Sequence, residues 1–238
     1  MSLNANIGLL SDPDKADRIL GITRGIEKEG LRIDPTGHLS LSEHPKCLGS
    51  ALTHPNITTD FSEALLEFIT EPSSSISDVM AQLSEIHQIA YQHLDQELLW
   101  ASSMPCQLGE EESIPIGQYG SSNIGMMKTI YRRGLGHRYG RHMQTIAGIH
   151  YNFSVPDSLW EDLKKAAKNT QSLKDFKSEG YFGLIRNFRR YSWLLLYLLG
   201  AAHAVGRSFV RNQHHRSVPV GDATHSRTQP EAPSFRRV

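Results

Sequence analysis

Residues 22–33 (ITRGIEKEGLRI) alternate in polarity and predict a strand. It turns at Asp34-Pro35-Thr36-Gly37 into a second short strand through Leu39 and Leu41, a hairpin. Residues 63–70 (EALLEFIT) read as a further strand, although so short an apolar run also suits a helix. From Ile76 the apolar positions Val79, Met80, Leu83, Ile86, Ala90, Leu94 and Leu98 recur at helical spacing, with Ser75 and Asp78 placed as a capping box. Short helices are predicted at residues 12–18 and 157–168. A longer one over 123–142 is weakened by Gly125, Gly134, Gly136 and Gly140. Residues 143–154 alternate as a strand. Met143, Thr145, Ala147, Ile149, Tyr151 and Phe153 form the predicted core face, and Gln144, Ile146, Gly148, His150 and Asn152 a largely polar one. Residues 181–200 predict a buried amphipathic helix, and no internal repeat is visible.

Hydrophobic residues at 39% and charged residues at 21% over 238 positions place the chain among globular proteins of one large or two small domains. Basic and acidic residues balance at 25 each, but unevenly along the chain. Residues 201–238 hold six Arg and no Lys against Asp222 and Glu231, so the body before them is net acidic and has no global attraction for nucleic acid. The N-terminus lacks the basic start and apolar run of a secretory signal, and the apolar run at 193–199 is too short for a bilayer. Cys47 and Cys106 are too few and too far apart for a zinc site or a disulfide framework. The expectation is a soluble cytoplasmic protein with no membrane or nucleic-acid partner.

The chemistry concentrates on acidic strand positions. Glu27 and Glu29 are two apart on one predicted strand face, about 7 Å from each other. Glu63 and Glu67 share a face of the third strand, with Asp60 just before it, and His150 lies on the polar side of its own strand. Carboxylates so placed repel, and in a cleft they call for a cation; hard ions such as Mg²⁺ choose carboxylate oxygens. The same spacing also suits a solvated face, with Arg24 and Arg32 neutralising the glutamates. Lys128, Arg132, Arg133, Arg138 and Arg141, interleaved with Tyr131 and Tyr139, form a basic run. It suits a solvated helix face, a phosphate-bearing small molecule or a nucleic acid. Nucleotide-binding glycine loops and hydrolase triads have no counterpart.

Five segments in register carry a resemblance: RGIEKEGLR (24–32), LGSALTHPNITTDFSEALLEFIT (48–70), SMPC (103–106), IGQYGSSNIGMMKTIYRRGL (116–135) and MQTIAGIHYNFSVP (143–156). Together they resemble the proteobacterial type of glutamate-cysteine ligase. The resemblance implies an α+β fold, a curved and mainly antiparallel sheet backed by helices and similar to the catalytic domain of glutamine synthetase. It implies ligation of the γ-carboxylate of L-glutamate to L-cysteine with ATP, the first step of glutathione synthesis, through a γ-glutamyl phosphate. By the same resemblance Glu27, Glu29, Asp60, Glu67 and His150 would hold Mg²⁺, or Mn²⁺ in its place. Phe61, Tyr131, Leu135, Gln144, Ile146 and Asn152 would line the amino-acid pockets. Lys28 stands where the family often has Arg.

Members of that family are roughly twice as long, and the likeness fades near Val205. The expectation is therefore an incomplete fold: an N-terminal part of the catalytic domain over residues 1–205 and a divergent tail over 206–238. From Gln213 onward there is no Leu, Ile, Met, Tyr or Trp, which predicts disorder. Such a chain is expected to show little ligase activity alone. The alternative is a non-catalytic chain that keeps only the metal- and amino-acid-binding face.

Overall fold

The computed structural model describes residue 11 and residues 19–200, 204–210 and 235–237. The helix predicted at residues 12–18 lies outside the described residues. In chain order the elements are β1 (Thr23–Ile33), β2 (Ile57–Thr59), β3 (Leu65–Ile69), α1 (Ile76–Gln92), β4 (Leu98–Leu99), α2 (Asn123–Tyr139), β5 (Ile149–Ser154), α3 (Asp157–Ala166), α4 (Leu173–Leu199), β6 (Ala204–Gly206), α5 (Arg207–Val210) and β7 (Phe235–Arg237). Two compact units divide the chain. One comprises Met1–Gly25, Pro72–Ile76 and Asn152–Ala201, and the other Ile26–Glu71, Ser77–Tyr151 and Ala202–Val238.

The larger unit is built on an open, mainly antiparallel sheet in the order β2-β3-β1-β4, with β5 also pairing β1. Both faces of the central strands are covered, which is why residues 63–70 read as a nearly continuous apolar run. On one face Leu31, Ile33 and Leu65 join Phe61, Ala64, Ile114 and Ala147 in a first core. On the other, Ile57, Leu66 and Phe68 pack against Leu83, Ile86 and Ala90 of α1 in a second. The register pairs Leu31 with Leu65, Glu29 with Glu67, and Glu27 with Ile69. Since side chains alternate along a strand, the face that is apolar at Leu31 and Leu65 becomes acidic one step along the ladder.

The hairpin after β1 closes as expected. The Asp34 carboxylate accepts from the backbone N–H groups of Thr36 and His38, and Gly37 takes φ +87°, a conformation suited to glycine. Its second arm is an isolated bridge from Ile33 to Leu39 instead of a strand, and Leu41 lies exposed. Helix α1 stops at Gln92, short of the predicted Leu94 and Leu98; Leu94 is buried from the loop, while Leu98 is exposed on β4. Helix α2 begins at a Ser122 cap whose hydroxyl accepts from the Gly125 N–H at 3.1 Å, and Gly140 ends it with φ +84°.

Gly125 is the one glycine of α2 that packing demands. A Cβ there would lie 2.3 Å from the carbonyl oxygen of Tyr119 and 2.9 Å from that of Gly120. Gly125→Ala is expected to cost ~1–3 kcal/mol in a denaturant melt. An unchanged midpoint would show that the 119–120 backbone yields freely.

Two expectations about burial fail. The predicted strand from Met143 begins as a 3-10 turn over Met143–Thr145, and only Ile149–Ser154 is extended. Thr145 and Ala147 are buried, but Ile149, Tyr151 and Phe153, expected in the core, are exposed because no described residue covers them. The helix expected to be buried over 181–200 forms as α4, and none of its residues is buried.

In the smaller unit α3 and the first turns of α4 pack through Trp160, which lies against Phe176 and Tyr181. Gly180 admits that ring, since a Cβ there would come within 2.4 Å of it. Lys177 pairs with Asp157, and the Tyr181 hydroxyl accepts from the Val155 N–H at 3.0 Å.

Past residue 205, α5 seats Phe209 in the first core, and Ser208 Oγ accepts from the Leu108 N–H. Strand β6 pairs with β7. Residues 211–234, most of the expected tail, lie outside the described residues. Among the described residues no helix is long and apolar enough to cross a membrane.

Candidate metal and substrate site

The acidic continuation of the first core face is the candidate site. Glu27 and Glu29 project from β1 and Glu67 from β3 on that face, and Glu29 stands directly opposite Glu67 in the register. Strand β5, paired with β1, brings His150 to the same place, with Nδ1 3.1 Å from Glu27 Oε2. Glu27, Glu67 and His150 each offer a ligand atom, and these atoms lie within 4.8 Å of one another.

Burial and like charge leave their marks on the carboxyls. Glu67 is pushed up to about 7, first by burial and then by the charges of Asp60, Glu29 and Glu27, against a smaller opposing effect of His150. Glu29 is also raised, chiefly by burial. The Gly148 N–H, donated to its Oε2 at 2.6 Å, works the other way. Glu29 is thereby held at the floor of the site, and Gly148 doubles the link by accepting from the Glu29 N–H at 3.0 Å.

Asp60 acts on Glu29 and Glu67 through its charge but stands outside the three-residue cluster. Its backbone is firmly tied. The Tyr119 hydroxyl donates to the carbonyls of Thr59 and Asp60, and Arg132 Nε donates to the latter. Glu63 does not join the acidic face. It precedes β3, is buried, and accepts from the N–H groups of His44 and Gln118 at 3.1 and 2.6 Å, bracing two loops.

The expected pocket residues separate. Phe61 is 1% exposed and belongs to the first core, so its side chain is core packing in this structure. Leu135 and Ile146 pack partly buried against that core, Tyr131 is 62% exposed on α2, and Gln144 is half-buried on the 3-10 turn. Asn152 lies exposed in the smaller unit.

Sequence reasoning missed Tyr119. It is buried, with Arg132 and Lys128 stacked over its ring at 4.5 and 5.1 Å, so it joins α2 to the Asp60 segment. The i, i+4 spacing of Lys128 and Arg132 was the available signal, but an aromatic ring four residues before the helix has no periodic link to them. Arg141 is likewise engaged internally, donating to the carbonyls of Glu112 and Ile114.

An acidic patch with an imidazole beside it, on one face of a mainly antiparallel sheet, defines an α+β protein with a carboxylate–imidazole cluster whose ligand atoms are close enough to hold a cation. The chain belongs to the glutamate-cysteine ligase family, whose model matches residues 7–237. It is 56% identical over 213 residues to the glutamate-cysteine ligase of Saccharophagus degradans, covering 90% of this chain and 40% of that one. With the glutamate-cysteine ligase of Alcanivorax borkumensis the identity is 52% over 234 residues, 98% of this chain and 44% of the relative. Among solved structures it is similar to the Francisella tularensis glutamate-cysteine ligase in complex with AMP, with a TM-score of 0.74 and 39% identity over 81% of this chain and 37% of that one. It is also similar to a bifunctional glutathione synthetase from Pasteurella multocida, with a TM-score of 0.71 and 30% identity over 84% of this chain and 26% of that one. The chain spans about two fifths of the length of the curated relatives it matches.

Proposed function

We propose that this chain carries the metal- and amino-acid-binding face of an ATP- and Mg²⁺-dependent ligase. The reaction joins the γ-carboxylate of L-glutamate to the amine of L-cysteine through a γ-glutamyl phosphate. The observation that carries the reading is the convergence of Glu27, Glu67 and His150 on one sheet face in a member of this family. The donor set fits the ion: two carboxylates suit Mg²⁺, the imidazole also admits Mn²⁺, and a Glu67 carboxyl so burdened by burial and like charge favours a cation beside it. An Mg²⁺ ion held there would offset the negative charge of a nucleotide and of the carboxylate to be activated.

The chain's own residues supply position. Glu27, Glu67 and His150 would hold the ion, Glu29 and Asp60 would add negative charge around it, and the Gly148 amide keeps Glu29 in place. Tyr131, Leu135, Gln144 and Ile146 are the residues of the larger unit that would receive the amino acids, above the buried Phe61. Held close to the acyl phosphate, the neutral amine of cysteine attacks its carbonyl carbon, the C–O bond to phosphate breaks, and the amine proton leaves to solvent. This part of the catalytic domain is placed in residues 1–205, with Phe209 of α5 packed into its first core from just beyond that boundary, and a cytoplasmic setting suits the two free thiols, Cys47 and Cys106.

Glutamate- and cysteine-dependent release of phosphate from ATP tests the reading. The chain fused to the portion of a relative that it does not match is expected to turn over. The chain alone is expected to fall ~10²–10³-fold or more below it, because charge-stabilising groups act together. Glu27→Gln in the fused protein should abolish turnover and weaken Mn²⁺ binding at least ~10-fold. Mn²⁺ binding to the chain without turnover in either form would favour the non-catalytic alternative. Absence of both would overturn the proposal.

A further inference from the structure

The acids of the candidate site are not all aimed in the same way. Glu27, Glu29 and Glu67 sit within strands, where the ladder between β1 and β3 fixes the direction of each side chain. Asp60 lies outside that ladder. It follows the last residue of β2, and the next strand begins only at Leu65, so the aim of its carboxylate rests on whatever holds this turn. Its N–H donates to the Leu65 carbonyl at 3.0 Å, and the carbonyl of the next residue, Phe61, accepts from the Gly117 N–H at 2.9 Å. The Asp60 carbonyl itself accepts from two side chains far along the chain, the Tyr119 hydroxyl at 3.0 Å and Arg132 Nε. The Asp60 charge, held there, reaches both Glu29 and Glu67.

We propose that Tyr119 is a positioning residue of the cation site, holding the Asp60 carboxylate toward Glu29 and Glu67 through its hydroxyl's grip on the 59–60 backbone, with Arg132 as a second arm. Tyr119 is buried, and a buried phenol needs hydrogen-bond partners. All of its partners lie on two residues. The hydroxyl accepts from Thr59 Oγ1 at 3.0 Å and shares its own proton between the carbonyls of Thr59 at 2.8 Å and Asp60 at 3.0 Å. Phenylalanine would fill the same space, so what the hydroxyl adds is a fixed backbone at the acid that no strand aims. Arg132 stacks on the ring at 4.5 Å while donating to the Asp60 carbonyl, which ties that backbone to α2. Thr129, one turn earlier on the inner face of α2, donates to the Gly117 carbonyl at 3.1 Å and bypasses Asp60. Groups that orient a ligating or charge-bearing side chain set metal affinity without touching the ion. The proposal rests on the cation-binding reading above and deepens it, and it needs no turnover to be tested.

Titration of the 238-residue chain with Mn²⁺, the free ion being read by electron paramagnetic resonance, tests it. Tyr119→Phe is expected to weaken Mn²⁺ binding ~10-fold, and Asp60→Asn at least as much. Because Tyr119 acts through Asp60, the double variant should bind no more weakly than Asp60→Asn alone, a non-additivity that general loosening of the fold does not produce. Arg132→Lys keeps a cation for the ring but lacks the Nε donor. It should lose affinity in the same Asp60-dependent way, and it carries the test if Tyr119→Phe does not fold. Thr129→Val, which cuts the bond between α2 and Gly117, should bind Mn²⁺ as wild type does. Wild-type affinity in Tyr119→Phe, or in Arg132→Lys where the former does not fold, would overturn the proposal and leave the cation site standing. So would losses that add in the double variant, or an equal loss in Thr129→Val. Wild type that takes up no Mn²⁺ would overturn the proposal together with the reading it rests on.

Discussion

Replacing Arg32 by Ala should lower the melting temperature of the chain by roughly 10 °C, since breaking a buried ion pair costs ~3–5 kcal/mol and each kcal/mol is worth ~2–4 °C at this size. Arg32 is fully buried, yet five hydrogen bonds satisfy its terminal nitrogens. Nη1 donates to Glu97 Oε2 at 2.6 Å and to Ser42 Oγ at 2.7 Å, and Nη2 donates to the carbonyls of Ser42, Glu43 and Glu63. One side chain thus ties the first hairpin, the loop before β3 and the segment before β4 to the centre of the sheet. Removing it takes the charged partner from Glu97, whose Oε1 keeps its bonds from Ser40 and Ser42, and leaves three carbonyl oxygens without that donor. Glu97 sets the pH dependence. Burial works to raise its carboxyl, but hydrogen bonds from Ser40, Ser42 and Arg32, with the charge of Arg32, outweigh that and hold it below its ordinary value of 4.5. A carboxyl depressed in the folded state stabilises above its ordinary value, and that contribution is lost as pH falls through the folded one. The gap between wild type and Arg32→Ala should therefore be widest near neutral pH and narrow below about pH 4. A loss under 1 kcal/mol near pH 7 would show that water or neighbouring side chains replace the guanidinium.

Glu67→Gln should change the sign of its effect with metal. In EDTA at pH 8 the variant should melt ~2–4 °C above wild type, about 1 kcal/mol once solvent screening of a half-exposed group is allowed for. A carboxyl raised in the folded state, here from 4.5 to about 7, binds its proton more tightly folded than unfolded. Stability at this position is full in acid and declines as pH climbs between those two values, so the advantage of Gln should vanish by about pH 5. With Mg²⁺ at ~100 times its dissociation constant, wild type gains ~2.7 kcal/mol by mass action, and the variant, lacking a ligand oxygen, gains little. The order of melting temperatures should then invert. Equal melting of the two proteins in EDTA at pH 5 and pH 8 would refute the electrostatic account of Glu67. A shared response to Mg²⁺ would remove Glu67 from the ion's ligands.

Much of the site is legible along the chain because strand periodicity is local. The direction of each Cβ follows from the backbone of its own strand, so the alternation Glu27, Glu29, Leu31, Ile33 states that two acids and two core residues share a face before any partner is known. The helical spacing of Val79, Leu83, Ile86 and Ala90 likewise identifies the buried stripe of α1. The resemblance to glutamate-cysteine ligase adds the family, which no periodicity contains.

Tertiary structure alone decided the rest. That Glu29 faces Glu67 depends on a ladder register between strands more than thirty residues apart. Glu63 and Glu67 have the same strand spacing in sequence, yet a turn before β3 sends one to brace His44 and Gln118 and leaves the other in the acidic cluster. Phe61 is buried because it shares a core with Ile114, Ala147 and Phe209, all distant in sequence. The apolar faces of β5 and α4 show the limit most plainly. The strand pattern from Met143 holds only over Ile149–Ser154 and the helical pattern over 181–199, the expected burial holds in neither, and among the described residues nothing covers the apolar side chains of Ile149, Tyr151 and Phe153 or of the second half of α4. A local pattern records which side chains point together. What lies against them is set by segments that fold back from elsewhere, through contacts whose entropic cost and packing no short window of sequence contains.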